Sequence, residues 1–392
     1  MQMLSGASLR KAFTWNAFIV LSLLSAEVFA TPSITGVSTA GGLVNGASLT
    51  ITGSGFGTKS PAAPYLWADF SNGSIEPSNL GQQTQWTQIQ NMVYSATGGP
   101  NNGPYAAGIP LNLTGSGSDD AWALAIDAKG FTWNDLSARY YVFKKSFRNF
   151  DVENYLGTGA QLNWKPFRIW NLNSSGNLAY PDWAEGSFNG NYESEGISAY
   201  GTTEVSPYAA VNGVPTNPAL VAGPVSQWFS EENIWQVNST TTSNDGLYWW
   251  YVNNQLVGQL PVNMGWTTYH FIMRDDSTSN GSMIRLYAQG VAANAPSFPL
   301  TNAFGMDDIY VDNTWSRVMI GNASTWAASM VHDVEIPTAW SDGSVSVILH
   351  NDSLPSFDGA YLYVFDSNGN VNPDGYPLCG SCPQPPANLT AN

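Results

Sequence analysis

What most limits how this chain can fold is the recurrence of short runs with strand periodicity, separated by polar turn formers, along nearly its whole length. Ser48-Leu49-Thr50-Ile51-Thr52 alternates polar and apolar and is closed by Gly53, Gly55 and Gly57. Arg139–Lys144, Phe167–Trp170, Leu247–Val252, Thr267–Met273 and Met283–Tyr287 are dense in β-branched and aromatic residues, as strands on a pleated, half-buried surface are. Asn173-Ser174-Ser175-Gly176, Ser243-Asn244-Asp245-Gly246 and Asn253-Asn254 supply turns between such runs. No amphipathic pattern longer than two helical turns follows residue 30. A chain of this kind is expected to be all-β, a sandwich or jelly roll.

The first thirty residues follow a different logic. Arg10 and Lys11 precede the apolar run Ala17–Leu24, and Val28-Phe29-Ala30 ends on a small residue. Charge, apolar core and small-residue exit in that order are expected of a secretory signal peptide cleaved after Ala30. The apolar core is far shorter than the ~20 residues a transmembrane helix needs. The protein is therefore expected to be secreted, extracellular or held at the cell surface. The chain carries 13 basic and 29 acidic residues, a net charge of −16. Loss of Arg10, Lys11 and Glu27 with the leader makes it more acidic still. Such a surface repels phosphate backbones, which argues against nucleic acid as a partner. Charged residues are only 11% of the chain while aromatics reach 13%, a composition that folds rather than stays disordered. The two cysteines, Cys379 and Cys382, form one CxxC before Pro383, Pro385 and Pro386. In an exported protein that pattern suits a small disulfide loop in a flexible tail, 379–392, better than half a zinc site or a redox pair.

Two stretches resemble known families. Pro32-Ser33-Ile34-Thr35-Gly36-Val37, followed by Gly46–Gly57, resembles the opening of an IPT/TIG immunoglobulin-like domain, and the match stops at mid-domain. Ser344–Leu349 and Ala360–Phe365, with the turn Asp366–Asn370, look like closing strands of an immunoglobulin-like sheet. The expectation is a split domain, 31–64 with 316–378, and a second domain, 65–315, inserted between its halves. That insert resembles the concanavalin A-like jelly rolls of polysaccharide lyases, laminarinase-like enzymes and lectin modules. The residues behind this resemblance are Ala138–Val142, Trp164–Trp170, Asp245–Asn253 and Asp307–Asn313. It implies a concanavalin A-like jelly-roll sandwich beside a smaller immunoglobulin-like β-sandwich. The fold hosts both enzymes and lectins, so it does not itself name an activity.

The chemistry narrows the choice. A retaining glycosidase of this fold would carry a Glu-x-Asp-x-x-Glu strand. None is present. A uronate lyase must neutralise a carboxylate, remove the neighbouring proton and protonate the leaving oxygen. Cations are scarce, so the cluster Lys144, Lys145, Arg148, Lys165 and Arg168 stands out. On one strand Lys165 and Phe167 share a side, and Arg168 and Trp170 share the other. Arg168 is the preferred carboxylate partner, with Lys165 beside it. Tyr140, Tyr141, Tyr248 or His270 would act as acid or base. Sugar rings stack on aromatic faces, and Trp164, Trp170, Trp228, Trp235, Trp249 and Trp250 are the expected glycan contacts. Trp249 and Trp250 are adjacent on a strand and must face opposite ways. Asp308 and Asp312 share a strand face with Tyr310 between them, a pair suited to structural Ca²⁺. The expected function is binding of an extracellular polysaccharide or cell-surface glycan. A polysaccharide lyase comes second, and third a structural or adhesive protein that self-associates through strand edges.

Overall fold

The computed structural model describes residues 30–78, 80–108, 122–127, 135–148, 164–172, 178–187, 196–200, 224, 226–243, 245–260, 262–263, 268–269, 274, 282–288 and 304–379. Among them there is no α-helix, only single 3₁₀ turns at Pro100–Asn102 and Trp326–Ala328. No described helix is long and apolar enough to cross a membrane. The chain is all-β, and every strand pairing among the described residues is antiparallel.

A seven-stranded sheet holds both ends of the described chain. Its order is β1 (Ser33–Thr39), β2 (Ser48–Ser54), β21 (Ser344–Ile348), β20 (His332–Ser341), β19 (Arg317–Gly321), β22 (Tyr361–Phe365) and β23 (Tyr376–Pro377). β2 pairs β21 with Thr50 opposite Ser346, so residues almost three hundred positions apart form one ladder. β20 begins on β19 and ends on β21, and a register shift between Pro337 and Ala339 lets it turn that corner. The sheet folds over on itself. Leu49 and Ile51 from β2, Val345 and Val347 from β21, Val318 and Ile320 from β19, and Leu362 and Val364 from β22 fill one core. Gly53 is needed at the edge of that core, because a Cβ there would lie 2.0 Å from the Ser33 carbonyl oxygen.

An eight-stranded sheet runs β14 (Gln255–Leu260), β13 (Leu247–Val252), β12 (Trp228–Gln236), β8 (Arg139–Arg148), β18 (Phe304–Asp312), β6 (Tyr105–Gly108) and β5 (Met92–Ser95), with β3 (Leu66–Ala68) paired to β18. A six-stranded sheet runs β11 (Gly196–Tyr200), β10 (Leu178–Ser187), β9 (Trp164–Leu172), β17 (Ser282–Ala288), β7 (Trp122–Asp127) and β4 (Gln88–Gln90). A separate hairpin joins β15 (Val262–Asn263) to β16 (Thr268–Tyr269). The six- and eight-stranded sheets pack as a jelly-roll sandwich, with Phe167 meeting Trp235 at 5.8 Å and Tyr248 at 6.4 Å.

The other face of the eight-stranded sheet is covered too. Tyr141, Phe143, Ile234 and Tyr310 pack against Met319, Val334, Ile336, Tyr363 and Phe365 of the seven-stranded sheet. With both faces packed, the inner strands lose the usual in–out alternation, and β18 is buried at every position. Polar residues on these strands must then find partners inside the protein.

Candidate functional site

The double packing decides the fate of several expected site residues. Tyr140, Trp235, Tyr248 and Trp250 share the face turned to the six-stranded sheet, and all are buried, Trp235 and Trp250 at 0% exposure. Trp235 stacks on Tyr140 at 5.2 Å, and the Tyr248 hydroxyl donates to Asn233. These four are core residues. Trp235 and Trp250 are not glycan contacts, and Tyr140 and Tyr248 do not reach a substrate as acid or base. Tyr141 is buried as well and donates to Glu232 at 2.7 Å. The side chains of Trp164, Lys165 and Trp170, and all of His270, lie outside the described residues.

The basic cluster is divided among different partners. Lys144 is wholly buried and paired with Glu231, which also accepts from Ser146. Lys145 binds Asp333, Ser353 and the His332 carbonyl. Arg148 is buried. None of these three lines a polysaccharide groove on the six-stranded sheet. Arg168 does stand on that sheet's outward face, since its neighbours Phe167 and Ile169 are buried in the sandwich while it is half-buried. Its register partner on β17 is Arg285, whose partner on β7 is Ala125, whose partner on β4 is Gln88. The small Ala125 leaves room for the Arg285 guanidinium to donate to Gln88 Oε1 at 2.9 Å across the intervening strand. Two arginines thus face each other on one rung, a placement that repels unless anions or dipoles offset it.

The expected calcium pair is also rearranged. A register shift between Asp307 and Tyr310 marks a bulge, with Asp308 at φ +49°. The bulge breaks the simple alternation, so Asp307, not Asp308, lies in register with Lys145 on the face shared by Tyr310 and Asp312. Asp312 is held by Lys59 at 2.6 Å and by the Tyr310 hydroxyl at 2.8 Å. Asp308 instead meets His350 at 2.7 Å. Burial would lower His350, but Asp308, backed by Asp352 and Asp333, more than offsets this and pushes it up to about 10. The Asp366–Asn370 segment is a turn, in which the Asp366 carboxylate accepts from the backbone of Asn368 and Asn370. Cys379 is disulfide-bonded.

Trp249 and Trp228, the remaining expected sugar contacts, each line an open cleft. Trp228 is half-buried, donates to the Gly98 carbonyl at 3.0 Å, and borders a space of about 480 Å³ with Asn101, Lys145, Asp352 and Ser353. Trp249 opens onto a cleft of about 460 Å³ between β13 and the seven-stranded sheet. Its walls are Trp249, Tyr251, Trp315, Trp326 and Phe365, and its floor is Glu232 and Arg317. Burial would raise the Glu232 carboxyl, yet the hydrogen bond and charge of His332, with Arg317, hold it below the usual range. The Arg317 guanidinium lies over Phe365 at 3.6 Å and Tyr141 at 4.3 Å.

Both ends of this second cleft are braced. Arg139 stacks on Trp315 and donates to the Ser367 carbonyl (2.8 Å) and Asn368 Oδ1 (2.7 Å). Asn254 donates to the carbonyls of Trp326 (2.6 Å) and Ser329 (3.2 Å). The cleft is preformed, of a size typical of small-ligand sites, and carries an aromatic lining with a few convergent polar groups. Sequence reasoning missed Glu232, Arg317, Trp315, Trp326 and Asn254. A signal was present in Glu231-Glu232, consecutive acids between Phe229 and Ile234 that a buried strand can keep only with partners on both faces.

No family model matches the sequence, and no curated protein matches it. Among solved structures the chain is similar to a variant of an alginate lyase in complex with an alginate trisaccharide, at 11% identity and TM-score 0.37, covering 64% of this chain and 99% of that one. It is also similar to the binding domain of Paraclostridial Mosquitocidal Protein 1, at 11% identity and TM-score 0.31, over 78% of this chain and 64% of that one. A third is the botulinum neurotoxin serotype G binding domain, at 10% identity and TM-score 0.32, over 77% of this chain and 72% of that one.

Proposed function

We propose that this is an exported glycan-binding protein whose sugar site is the cleft lined by Trp249. The observation that carries the reading is the braced aromatic enclosure of Trp249, Tyr251, Trp326 and Phe365 over a polar floor. Flat aromatic faces match the apolar C–H faces of a sugar ring and lose little entropy on binding. Glu232 and Arg317 compensate each other's charge at 3.7 Å, so the floor offers hydrogen bonding to hydroxyls without demanding a charged ligand. The export part rests on the leader pattern of residues 1–30. The domain reading, 31–64 with 316–378 around 65–315, is supported by the β2–β21 pairing.

The test is retention on a panel of immobilised polysaccharides. Trp249→Ala is expected to weaken binding to the retained glycan about thirtyfold, the ~2 kcal/mol typical of a lost aromatic anchor. The fold should persist, because Trp249 is only half-buried. Unchanged retention in a folded Trp249→Ala protein would remove the cleft from the reading.

One observation favours a second reading, a polysaccharide lyase acting on a uronate. Arg168 stands half-buried on the outward face of the six-stranded sheet, where its guanidinium would pair with a substrate carboxylate. Steady formation of unsaturated uronate, followed by its ultraviolet absorbance and abolished by Arg168→Ala, is the outcome that installs it. Absence of that product from every uronate-containing glycan in the panel leaves binding as the function.

A further inference from the structure

Also on the side of the eight-stranded sheet that the seven-stranded sheet covers, the bulge at Asp308 meets the loop after β21. His350 Nε2 lies 2.7 Å from Asp308 Oδ1 and 3.6 Å from Asp352 Oδ2. One ligand atom from each of the three residues falls within 4.8 Å of the others. The surroundings hold these groups in place. Asp308 is set by the bulge and by its own N–H, which donates to Asp307. The loop is pinned by Asp333, which accepts the N–H groups of Asp352 and Ser353, and by Glu335, which accepts that of His350 at 2.9 Å. Lys145, the nearby ammonium, is already engaged by Asp333, Ser353 and the His332 carbonyl.

A histidine bridging two aspartates can be a plain ion pair. A second observation points beyond it. Asp308 is 0% exposed, yet its Oδ2 has no hydrogen-bond donor among the described residues, and Glu335 Oε1 beside His350 is in the same position. A buried, unsatisfied carboxylate oxygen is costly, by roughly 1–3 kcal/mol or more. Here it sits on the very carboxylate that touches the imidazole. A cation held by both oxygens of that carboxylate would satisfy it. We propose that His350, Asp308 and Asp352 form a binding site for one divalent transition-metal ion of the zinc class, which on binding displaces to solvent the proton that His350 Nε2 shares with Asp308. The imidazole nitrogen selects this class, because zinc takes nitrogen and carboxylate oxygen together whereas calcium takes oxygen alone. Asp352, the most exposed of the three at 21%, supplies the entry path and borders the cleft that holds Trp228.

The full chain, stripped with a chelator, is titrated with zinc chloride by calorimetry and followed by thermal melting. One ion per chain is expected, with a rise in melting temperature of roughly 5 °C at hundredfold excess over Kd. Calcium chloride at the same concentration should give no shift. Asp352→Asn keeps the fold, since the residue is partly exposed, and should weaken zinc by more than about tenfold, the loss typical even of an outer-shell partner. His350→Gln should abolish binding. The proposal is overturned if neither zinc nor manganese gives heat or a shift. It is overturned equally if zinc binds Asp352→Asn as tightly as the parent. Calcium binding that survives His350→Gln would overturn the choice of metal class.

Discussion

Trp235→Ala is expected to lower the unfolding free energy by about 3–5 kcal/mol while leaving glycan retention of the folded fraction unchanged. The indole fills the centre of the jelly roll, stacked on Tyr140 and tilted against Phe167, at 0% exposure. Its removal leaves a cavity that close-packed neighbours on two sheets cannot collapse into. Trp249 is one strand away and on the opposite face, beside the cleft. The two substitutions therefore separate stability from binding. Trp235→Ala should move the urea midpoint and not the affinity, and Trp249→Ala the affinity more than the midpoint. Loss of retention by Trp235→Ala at concentrations well below its midpoint would return that tryptophan to the binding surface.

The same strands show how far the sequence could be read. In Leu247–Val252 the alternation is legible, and Trp249 and Trp250 do face opposite ways. Which of them meets solvent is not legible, because both faces of the sheet are packed and composition looks alike on each. The core role of Trp250 depends on the six-stranded sheet, and the open role of Trp249 on where the seven-stranded sheet stops. Both are long-range facts. Asp308 and Asp312 illustrate a second limit. Parity counting along a strand fails at a bulge, and a single extra residue near Asp308 sends it to His350 rather than to Asp312. The pairing of Lys145 with Asp333 spans 188 positions, which no local pattern foreshadows. The sheets themselves were readable, since β propensity, turn residues and the absence of helical periodicity all agreed. The cleft was only half readable. Trp249 could be named from its strand, but Trp326 sits in a 3₁₀ turn and Arg317 at the start of β19, and only tertiary packing brings them to its wall.

Lys59→Met alone, or Asp312→Leu alone, is expected to cost about 3–5 kcal/mol, whereas Lys59→Met, Tyr310→Phe and Asp312→Leu together should be neutral or stabilising. Lys59 follows β2 and reaches into the packing of β18, where its ammonium contacts Asp312 Oδ2 at 2.6 Å and the Tyr310 hydroxyl at 3.0 Å. It also lies 5.7 Å from the ring centres of Tyr310 and Trp340. Both members of the ion pair are almost fully buried. Burial pulls the Lys59 ammonium down and pushes the Asp312 carboxyl up, so desolvation outweighs their mutual attraction in each case. Removing one partner strands a buried charge, which is the large cost. Removing all three polar groups leaves Met, Phe and Leu side chains among apolar neighbours, and no charge remains to desolvate. The Asn313 N–H, which Asp312 now accepts at 2.9 Å, lies at a half-buried position where water can replace the carboxylate. Equilibrium urea unfolding of the two single variants and the triple variant decides the matter. Single variants that lose under about 1 kcal/mol would mean the pair is effectively solvated. A triple variant as unstable as either single would show that the ion pair itself holds β18 to the segment after β2.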